Sequence, residues 1–196
     1  MEELNTQPVA SENTEGDSTG WGRFLLDLLE TLLLSAALFL VINALSARVR
    51  VDGSSMLPTL KNGEFVLVNR LAYRFDTPQR GDIVVFHYPP DPKQDLIKRV
   101  IGLAGDTVTI QGGIVYVNDT PLVEPYISQP PHYTGTWIVP EGHLFVLGDN
   151  RNDSSDSHSW GMLPLENIVG KAVLIYWPFQ NLQWIDHYDL VKATHD

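Results

Sequence analysis

Two kinds of hydrophobic pattern follow one another along the chain. From Phe24 to Ala47 the residues read FLLDLLETLLLSAALFLVINALSA, an apolar run with few polar interruptions. About 20 helical residues cross the hydrocarbon core of a bilayer, so this run is long enough to span one as a helix. Asp27 and Glu30 fall in its first turns, where carboxylates reach the interface and favour a helix N-terminus. The pattern therefore predicts a transmembrane helix over residues 23–47.

Two other interpretations of the apolar run stay open at this point. A buried helix of a soluble protein is seldom apolar on every face over such a length. A cleaved secretory leader would explain the small residues ALS at 44–46, and self-processing there would be detected by N-terminal sequencing. Against a leader, the preceding segment is acidic and contains only Arg23 as a base, and the apolar run is longer than usual. The pattern favours a permanent anchor.

After Val49 the chain changes to short runs rich in β-branched residues, separated by Gly and Pro. These runs are EFVLV (64–68), DIVVFHY (82–88), LIKRVIG (96–102), DTVTI (106–110), GIVYVN (113–118), HLFVLG (143–148) and AVLIYW (172–177). Short strands with frequent turns and no long amphipathic helix predict a mainly β domain over residues 48–196. The residues from 180 onwards show no strand pattern, so we expect a surface extension there.

Charge and composition narrow the class of protein. Residues 1–20 hold five acids and no Lys or Arg, which predicts a disordered acidic tail over residues 1–22. The whole chain of 196 residues has a formal net charge of -11, which argues against a nucleic-acid partner. It contains no cysteine, which excludes disulfides, cysteine nucleophiles and thiolate metal sites.

A pair of serines in GSSMLPTL, residues 53–60, lies shortly after the apolar run. A serine hydroxyl becomes a good nucleophile only when a neighbouring base takes its proton. Of six histidines, His158 is the best placed because Asp156 is close to it in sequence, but no G-x-S-x-G turn surrounds Ser55. A serine–histidine hydrolase of that type is therefore not supported.

Lysine is the other possible base, and Lys98 differs from the remaining four. In an alternating strand it shares a face with Leu96 and Val100, which we expect to be buried, while Ile97 and Arg99 point the other way. Burial favours a neutral amine and would supply the fall of roughly 2–3 pKa units that a base needs. The alternative is that Lys98 extends to water or pairs with an acid.

Four segments in this order resemble the motifs of the bacterial type I signal peptidases, in their small Gram-positive form. They are GSSMLPTL (53–60), RGDIVVF (80–86), LIKRVIGLAGDTV (96–108) and VLGDNRNDSSDSHSWG (146–161). An anchor before the first motif also fits, and the resemblance extends from about residue 24 to 178. It implies antiparallel sheets forming a catalytic domain. It also implies a serine endopeptidase that removes signal peptides after Ala-x-Ala-like sites through an acyl-enzyme, without a cofactor or metal.

The resemblance assigns the central roles to two residues. Ser55, directly before Met56, matches the nucleophile, and Lys98 matches the general base. Some relatives have a serine two positions before the nucleophile that donates to the oxyanion, whereas this chain has Gly53 there. The backbone N–H of Ser55 is then the expected main donor.

The last motif matches the supporting residues of the family. Asp149, Asn150 and Arg151 correspond to its scaffold turn. Ser154 corresponds to the serine that hydrogen-bonds and orients the lysine, and Asp156 to an acid that stabilises the site by ion pairing.

The family commonly has Arg where this chain has His158, so the ion pair of Asp156 is either lost or transferred to Arg99 or Arg151. The alternative for this motif is a polar loop. The loop lacks the glycine and the final glutamate of an EF-hand, so we expect no calcium there.

By position, the substrate peptide would lie between two segments. Val49, Val51, Asp52 and Met56 line one side and Ile97 the other. Val49 could equally face the core or the membrane. Apolar residues around Met56 and Leu57 are also expected to enter the lipid interface.

The resemblance implies signal peptides of preproteins and membrane lipid as partners, with no nucleic acid and no metal, and a monomer. It places the chain in the bacterial cell membrane as a single-pass protein, with a cytoplasmic N-terminus and an extracytoplasmic catalytic domain. Arg48 and Arg50 follow the apolar run while Arg23 precedes it, so the charges do not favour this orientation.

Two alternatives remain. A self-cleaving repressor shares the Ser–Lys chemistry but carries a DNA-binding module in place of a span. A membrane-anchored β-rich binding or assembly protein would show no cleavage at all.

Overall fold

The computed structural model describes residues 18–188 and residue 190, and it begins with one long helix, α1, over Ser18–Leu45. Within those residues α1 is the one helix long and apolar enough to cross a membrane; its 18-residue window has a mean hydropathy of 2.3 and is fully exposed. Residues 18–22, predicted to belong to the tail, are helical. The rest of the predicted tail lies outside the described residues.

The chain beyond α1 is built from short strands. They are β1 (Ser46–Arg50), β2 (Phe65–Asn69), β3 (Ile83–His87), β4 (Asp95–Gly102), β5 (Thr107–Gln111), β6 (Ile114–Val117), β7 (Thr120–Pro121), β8 (Gly135–Ile138), β9 (His143–Leu147), β10 (Leu163–Pro164), β11 (Ile168–Trp177) and β12 (Gln183–Trp184). All seven predicted runs form strands. A one-turn helix, α2 (Ser157–Trp160), precedes β10, and two 3-10 turns, Leu165–Asn167 and Phe179–Asn181, flank β11.

The strands form two sheets, in which every pairing between described strands is antiparallel. The larger sheet has the order β1-β2-β11-β3-β4-β9-β10, with β12 paired to β11. The smaller sheet has the order β7-β6-β5-β8. The predicted fold class, mainly β with antiparallel sheets after one apolar helix, is confirmed.

The core lies on both faces of the large sheet. In β3, Ile83 and Val85 pack in the cluster that contains Val51 and Met56, whereas Val84 and Phe86 pack on the opposite face. A central strand covered on both faces reads as a continuous apolar run, which is the pattern of IVVF. The same holds for β4, so the expectation that only its Lys98 face is buried was too narrow.

Within its described part, residues 180–188 and 190, the closing segment is not the surface extension that its pattern predicted; the remaining residues lie outside the described part of the chain. Gln183–Trp184 pairs with β11, and both Ile185 and Leu190 are buried in the core. The backbone of Tyr188 passes so close to Gly81 that a Cβ there would collide with the Tyr188 carbonyl. Isolated apolar residues anchor this segment, and they create no periodicity from which a strand could be predicted.

Candidate active site

The side chains of Ser55 and Lys98 meet although 43 residues separate them in sequence. Ser55 lies in the turn between β1 and β2, and Lys98 lies in β4. Lys98 Nζ is 2.8 Å from Ser55 Oγ and donates a second hydrogen bond to the carbonyl of Ile97 at 3.0 Å. An amine within hydrogen-bond distance of a hydroxyl can exchange a proton with it directly.

Lys98 is buried, with 2% of its surface exposed. Burial disfavours the charged ammonium and lowers the pKa of Lys98 from 10.5 to about 8, against the opposing negative charges of Asp156 and Asp149. A substantial fraction of the amine is therefore neutral near neutral to mildly alkaline pH. This is the protonation state that a general base requires.

The backbone around Ser55 is held by the turn that follows β9. The Asn150 N–H donates to the Ser55 carbonyl at 3.0 Å, and Asn150 Nδ2 donates to the Ser54 carbonyl at 3.2 Å. Ser54 Oγ donates to Asp153 Oδ2 at 2.5 Å. These bonds fix the carbonyls and leave the Ser55 hydroxyl facing Lys98.

Gly148 allows this close approach. A Cβ at this position would overlap both the Ser55 carbonyl oxygen and Ser154 Oγ. The glycine before Asp149 is thus required by packing, and its φ does not lie in the left-handed region.

A fully buried ion pair joins β4 to the same turn. Arg99 donates from Nε and Nη2 to the two carboxylate oxygens of Asp149, at 2.9 and 2.7 Å. Thr59 Oγ1 donates to Asp149 Oδ2 at 2.5 Å, and the ring of Tyr126 stacks 3.9 Å from Arg99 Cζ. Asp149 therefore connects the Lys98 strand, the Ser55 segment and the turn after β9.

The other supporting residues differ from the sequence-based expectation. Asp156 pairs with neither Arg99 nor Arg151: its Oδ1 lies 2.6 Å from His158 Nδ1, and its Oδ2 accepts the Gly148 N–H at 2.9 Å. Arg151 instead forms two hydrogen bonds with Glu124, at 2.9 and 2.5 Å. Both arginines are already satisfied by other carboxylates, so His158 takes the position of the family arginine.

The expected hydrogen bond from Ser154 to Lys98 is not formed. Ser154 Oγ is buried without a hydrogen-bond partner among the described residues and packs against Gly148. The amine of Lys98 is occupied instead by Ser55 Oγ and its own neighbouring carbonyl.

A small cleft of about 90 Å³ opens beside Ser55 and Lys98. The predicted residues Val49, Val51, Asp52 and Ile97 line it, together with Arg50, Asp95 and Leu96, for which no substrate contact was predicted. Met56 does not line the cleft.

Met56 is 1% exposed and packs in the core with Val51 and Ile97. Met56 therefore does not line the substrate cleft as predicted, because its side chain fills the interior beneath the turn.

The cleft is bordered by an unpaired strand edge. β9 pairs with β4 only from Arg99 onwards, so within the described chain residues 95–98 pair with β3 on one side alone. An extended segment can add to an edge of this kind through main-chain hydrogen bonds.

Several contributing residues had no recognisable sequence signal. Glu124, Tyr126 and Thr59 lie in loops without periodicity, and they reach the site only through folding.

No group of three or more His, Asp or Glu side chains that could hold a metal occurs in the part of the chain that the structure describes.

The family model and the curated relatives that match this chain agree on one family. The family model described as signal peptidase, peptidase S26, matches residues 25–177. Signal peptidase I of Leptolyngbya laminosa is 43% identical over 185 residues, covering 90% of this chain and 88% of the relative. A probable signal peptidase I-1 of Synechocystis sp. is 41% identical, covering 87% of this chain and 92% of the relative.

A more distant relative agrees with these two. Signal peptidase IB of Staphylococcus aureus is 34% identical over 181 residues, covering 81% of this chain and 94% of the relative. With a half-buried serine–lysine contact beside an open cleft, and a family match over most of its length, this chain belongs to the signal peptidase family, peptidase S26, a family of serine endopeptidases.

Proposed function

We propose that this chain removes N-terminal signal peptides from preproteins after Ala-x-Ala-like sites, with Ser55 as nucleophile and Lys98 as general base. The observation that carries the proposal is the 2.8 Å contact between Lys98 Nζ and Ser55 Oγ. The lowered pKa of the buried lysine supports it.

In the acylation step Ser55 Oγ attacks the scissile carbonyl carbon, and neutral Lys98 accepts the hydroxyl proton. The tetrahedral intermediate collapses, the C–N bond breaks, and the Lys98 ammonium returns the proton to the leaving amine. That amine becomes the N-terminus of the mature protein, while the signal peptide remains bound to Ser55 as an ester.

In the deacylation step a water attacks the ester carbonyl and gives its proton to Lys98. The second intermediate expels Ser55 Oγ, which takes the proton back, and the signal peptide leaves with a free carboxylate. Lys98 therefore ends each cycle neutral.

The backbone N–H of Ser55 is the proposed oxyanion donor. It makes no hydrogen bond with any described residue, and Gly53 supplies no hydroxyl at the position that carries a serine in some relatives. A preformed donor of this kind contributes about 10²-fold or more to the rate.

The signal peptide binds as an extended strand between residues 49–52 and the free edge of β4. Main-chain hydrogen bonds hold the peptide, and the shallow apolar surface of Val49, Val51 and Ile97 admits small side chains and excludes large ones. This arrangement accounts for a preference for alanine near the cleaved bond.

Helix α1 serves as a membrane anchor, with residues 1–17 on the cytoplasmic side and the β domain outside the bacterial cell membrane. The length and apolar character of α1 support the anchor. Anchoring by α1 would hold Ser55 close to the membrane surface, where the C-terminal end of a translocated signal peptide emerges.

The test is cleavage, by the full chain in detergent, of a preprotein whose signal peptide ends in Ala-x-Ala. Ser55→Ala and Lys98→Ala should each lower kcat by at least about 10³-fold, because the two residues act as one unit. Ser54→Ala and Lys61→Ala are the matched controls and should retain most of the activity. Cleavage by Ser55→Ala or Lys98→Ala at the normal rate would remove that residue from the mechanism. No cleavage by the unmodified chain would favour a non-catalytic binding protein.

Orientation is tested separately by adding protease to intact cells. Digestion of the β domain from outside is expected. Protection of that domain in intact cells, with digestion after lysis, would refute the extracytoplasmic placement.

A further inference from the structure

A second groove, of about 250 Å³, lies away from Ser55 between the turn after β2 and the start of β11. Its rim carries Arg70, Arg74 and Asp76. Its wall is apolar and is formed by Leu165, Ile168 and Val169, with the ring of Tyr73. None of these residues belongs to the catalytic site.

Arg70 is directly connected to the last residue of α1. The Arg70 N–H donates to the Leu45 carbonyl at 3.1 Å, and the adjacent residue Asn69 pairs with Ser46, the first residue after the helix. The headgroup layer of a bilayer extends roughly 5–7 Å beyond each edge of the hydrocarbon. If α1 spans the bilayer as far as Leu45, as proposed above, the Arg70 backbone lies at the border between hydrocarbon and headgroups.

Three exposed arginines differ from the buried and half-buried cations of the β domain in having no carboxylate partner. Arg80, Arg99, Arg151 and Lys171 each pair with a carboxylate. Arg48, Arg70 and Arg74 are exposed and form no ion pair with any residue that the structure describes. In a chain of net charge -11, two arginines without carboxylate partners on one groove give it a local positive charge that attracts an anion.

An exposed aromatic side chain follows Arg74 in the sequence. Phe75 is 88% exposed beside Arg74, and Leu165 at the groove wall is 41% exposed. Aromatic rings with neighbouring arginines are typical of membrane–water interfaces.

We propose that this groove binds an anionic phospholipid, with its phosphate on Arg70 and Arg74 and the start of an acyl chain along Leu165 and Ile168. Guanidinium groups bind phosphate oxygens in a forked geometry, and the apolar wall suits hydrocarbon. Asp76 partly offsets the rim charge, which leaves the two arginines in excess. The Tyr73 hydroxyl already donates to Asp82 at 2.9 Å, so the ring alone faces the ligand. The bound lipid fixes the β domain against the membrane at a point distinct from the anchor.

The test uses the full chain in non-ionic detergent with a fluorophore on Thr77→Cys at the groove rim. The natural chain has no cysteine, so the label is unique. Dioctanoyl phosphatidylglycerol, dioctanoyl phosphatidylcholine and glycerol 3-phosphate are titrated in parallel. Saturable binding is expected for phosphatidylglycerol, with much weaker binding of the other two.

Substitution of the arginines should weaken phosphatidylglycerol binding by about fivefold for Arg74→Gln and about 25-fold for Arg70→Gln with Arg74→Gln. Lys61→Gln removes an equal charge from an exposed position in the turn before β2 and should leave the affinity unchanged. Equal binding of phosphatidylcholine, equal weakening by Lys61→Gln, or no effect of the double substitution would overturn the proposal. Equal affinity for glycerol 3-phosphate would assign the groove to a soluble phosphate and would also overturn it.

The lipid titration is independent of catalysis. Preprotein cleavage is measured on the same samples, and the arginine variants should keep normal activity towards a soluble peptide in detergent. A chain that binds lipid as stated but does not cleave preproteins would refute the proposed function and leave the lipid site intact.

Discussion

At the scale of single residues, the proposed mechanism depends on the protonation state of Lys98. The amine must be neutral to accept the Ser55 proton, and its pKa is about 8. We expect kcat/KM to rise about tenfold per pH unit below pH 8 and to level off above it, as for a single deprotonation. A pH–rate profile of preprotein cleavage measures this.

Substitution of Asp156 tests more directly how the surroundings of Lys98 determine its pKa. Its negative charge raises the pKa of Lys98, in opposition to burial. Asp156→Asn should therefore move the ascending limb of the profile to lower pH, while the amide oxygen can still accept the Gly148 N–H. Asp119→Asn, in the exposed turn between β6 and β7, is the control and should not move the limb. A shift to higher pH for Asp156→Asn would contradict this account of Lys98.

The burial of Lys98 also lowers the stability of the fold. Its folded pKa of about 8 lies below the ordinary value of 10.5, so the unfolded state binds more protons between these pH values. Stability therefore rises with pH across that window, and below pH 8 the full penalty of about 3 kcal/mol applies.

Replacement of the lysine by an apolar side chain should remove this penalty. Lys98→Met should be inactive but more stable at pH 7 by about 2–3 kcal/mol, and the gain should vanish as the pH approaches 10.5. Guanidinium unfolding in detergent, followed by tryptophan fluorescence, measures the difference. Lys61→Met, at an exposed position, should show no such pH-dependent gain. Lower stability of Lys98→Met at pH 7 would show that the lysine makes compensating interactions.

At the scale of elements, the buried Arg99–Asp149 pair connects β4 to the turn after β9. Arg99→Met leaves the Asp149 carboxylate buried with its main counter-charge removed, which should cost about 3–5 kcal/mol of unfolding free energy. Arg99→Met combined with Asp149→Leu should cost clearly less than the sum of the two single changes. A double-mutant cycle by guanidinium unfolding measures the coupling, and strict additivity would show that the pair is not energetically linked.

Most elements of the β domain were predictable because their local sequence is consistent with their final environment. Burial alternates from residue to residue along β2, whereas β3 is buried on both faces and is accordingly apolar throughout. β7, β10 and β12 contain two residues each, too few for a periodic signal, and their neighbours in the sheet define them.

At the scale of the whole molecule, the surface of α1 is predominantly apolar along its length, unlike that of a water-exposed helix. Leucine side chains along α1 are largely exposed, Leu33 at 62% and Leu34 at 64%, which water alone would not tolerate over such a length. If α1 is an anchor, Leu33→Asp with Leu34→Asp should release the chain into the alkaline carbonate supernatant. Each aspartate at a helix centre costs about 2.5–3.5 kcal/mol of insertion free energy.

The matched control is Leu33→Ala with Leu34→Ala, which should stay in the membrane pellet. Retention of the aspartate variant in the pellet would indicate that the β domain alone holds the chain on the membrane. That outcome would count against α1 as the main anchor.

The sequence by itself determined the apolar helix, the antiparallel β class and the family, and it indicated Ser55 and Lys98. These features depend on the order of residues along the chain, through hydrophobic period, strand length and motif spacing. The proposed roles of the two residues rest in addition on their contact, which the resemblance implied and no local pattern contains.

Only the tertiary structure decided which charged side chains form ion pairs and which apolar side chains enter the core. The carboxylate that pairs with Arg151 comes from Glu124, Asp156 pairs with His158, and Met56 turns into the core. The physical reason is that a charged side chain binds whichever counter-charge the packed chain brings within reach, and those residues come from distant loops. The same reason explains why the groove of Arg70 and Arg74 could not be recognised before the turn after β2 and the start of β11 were placed in space.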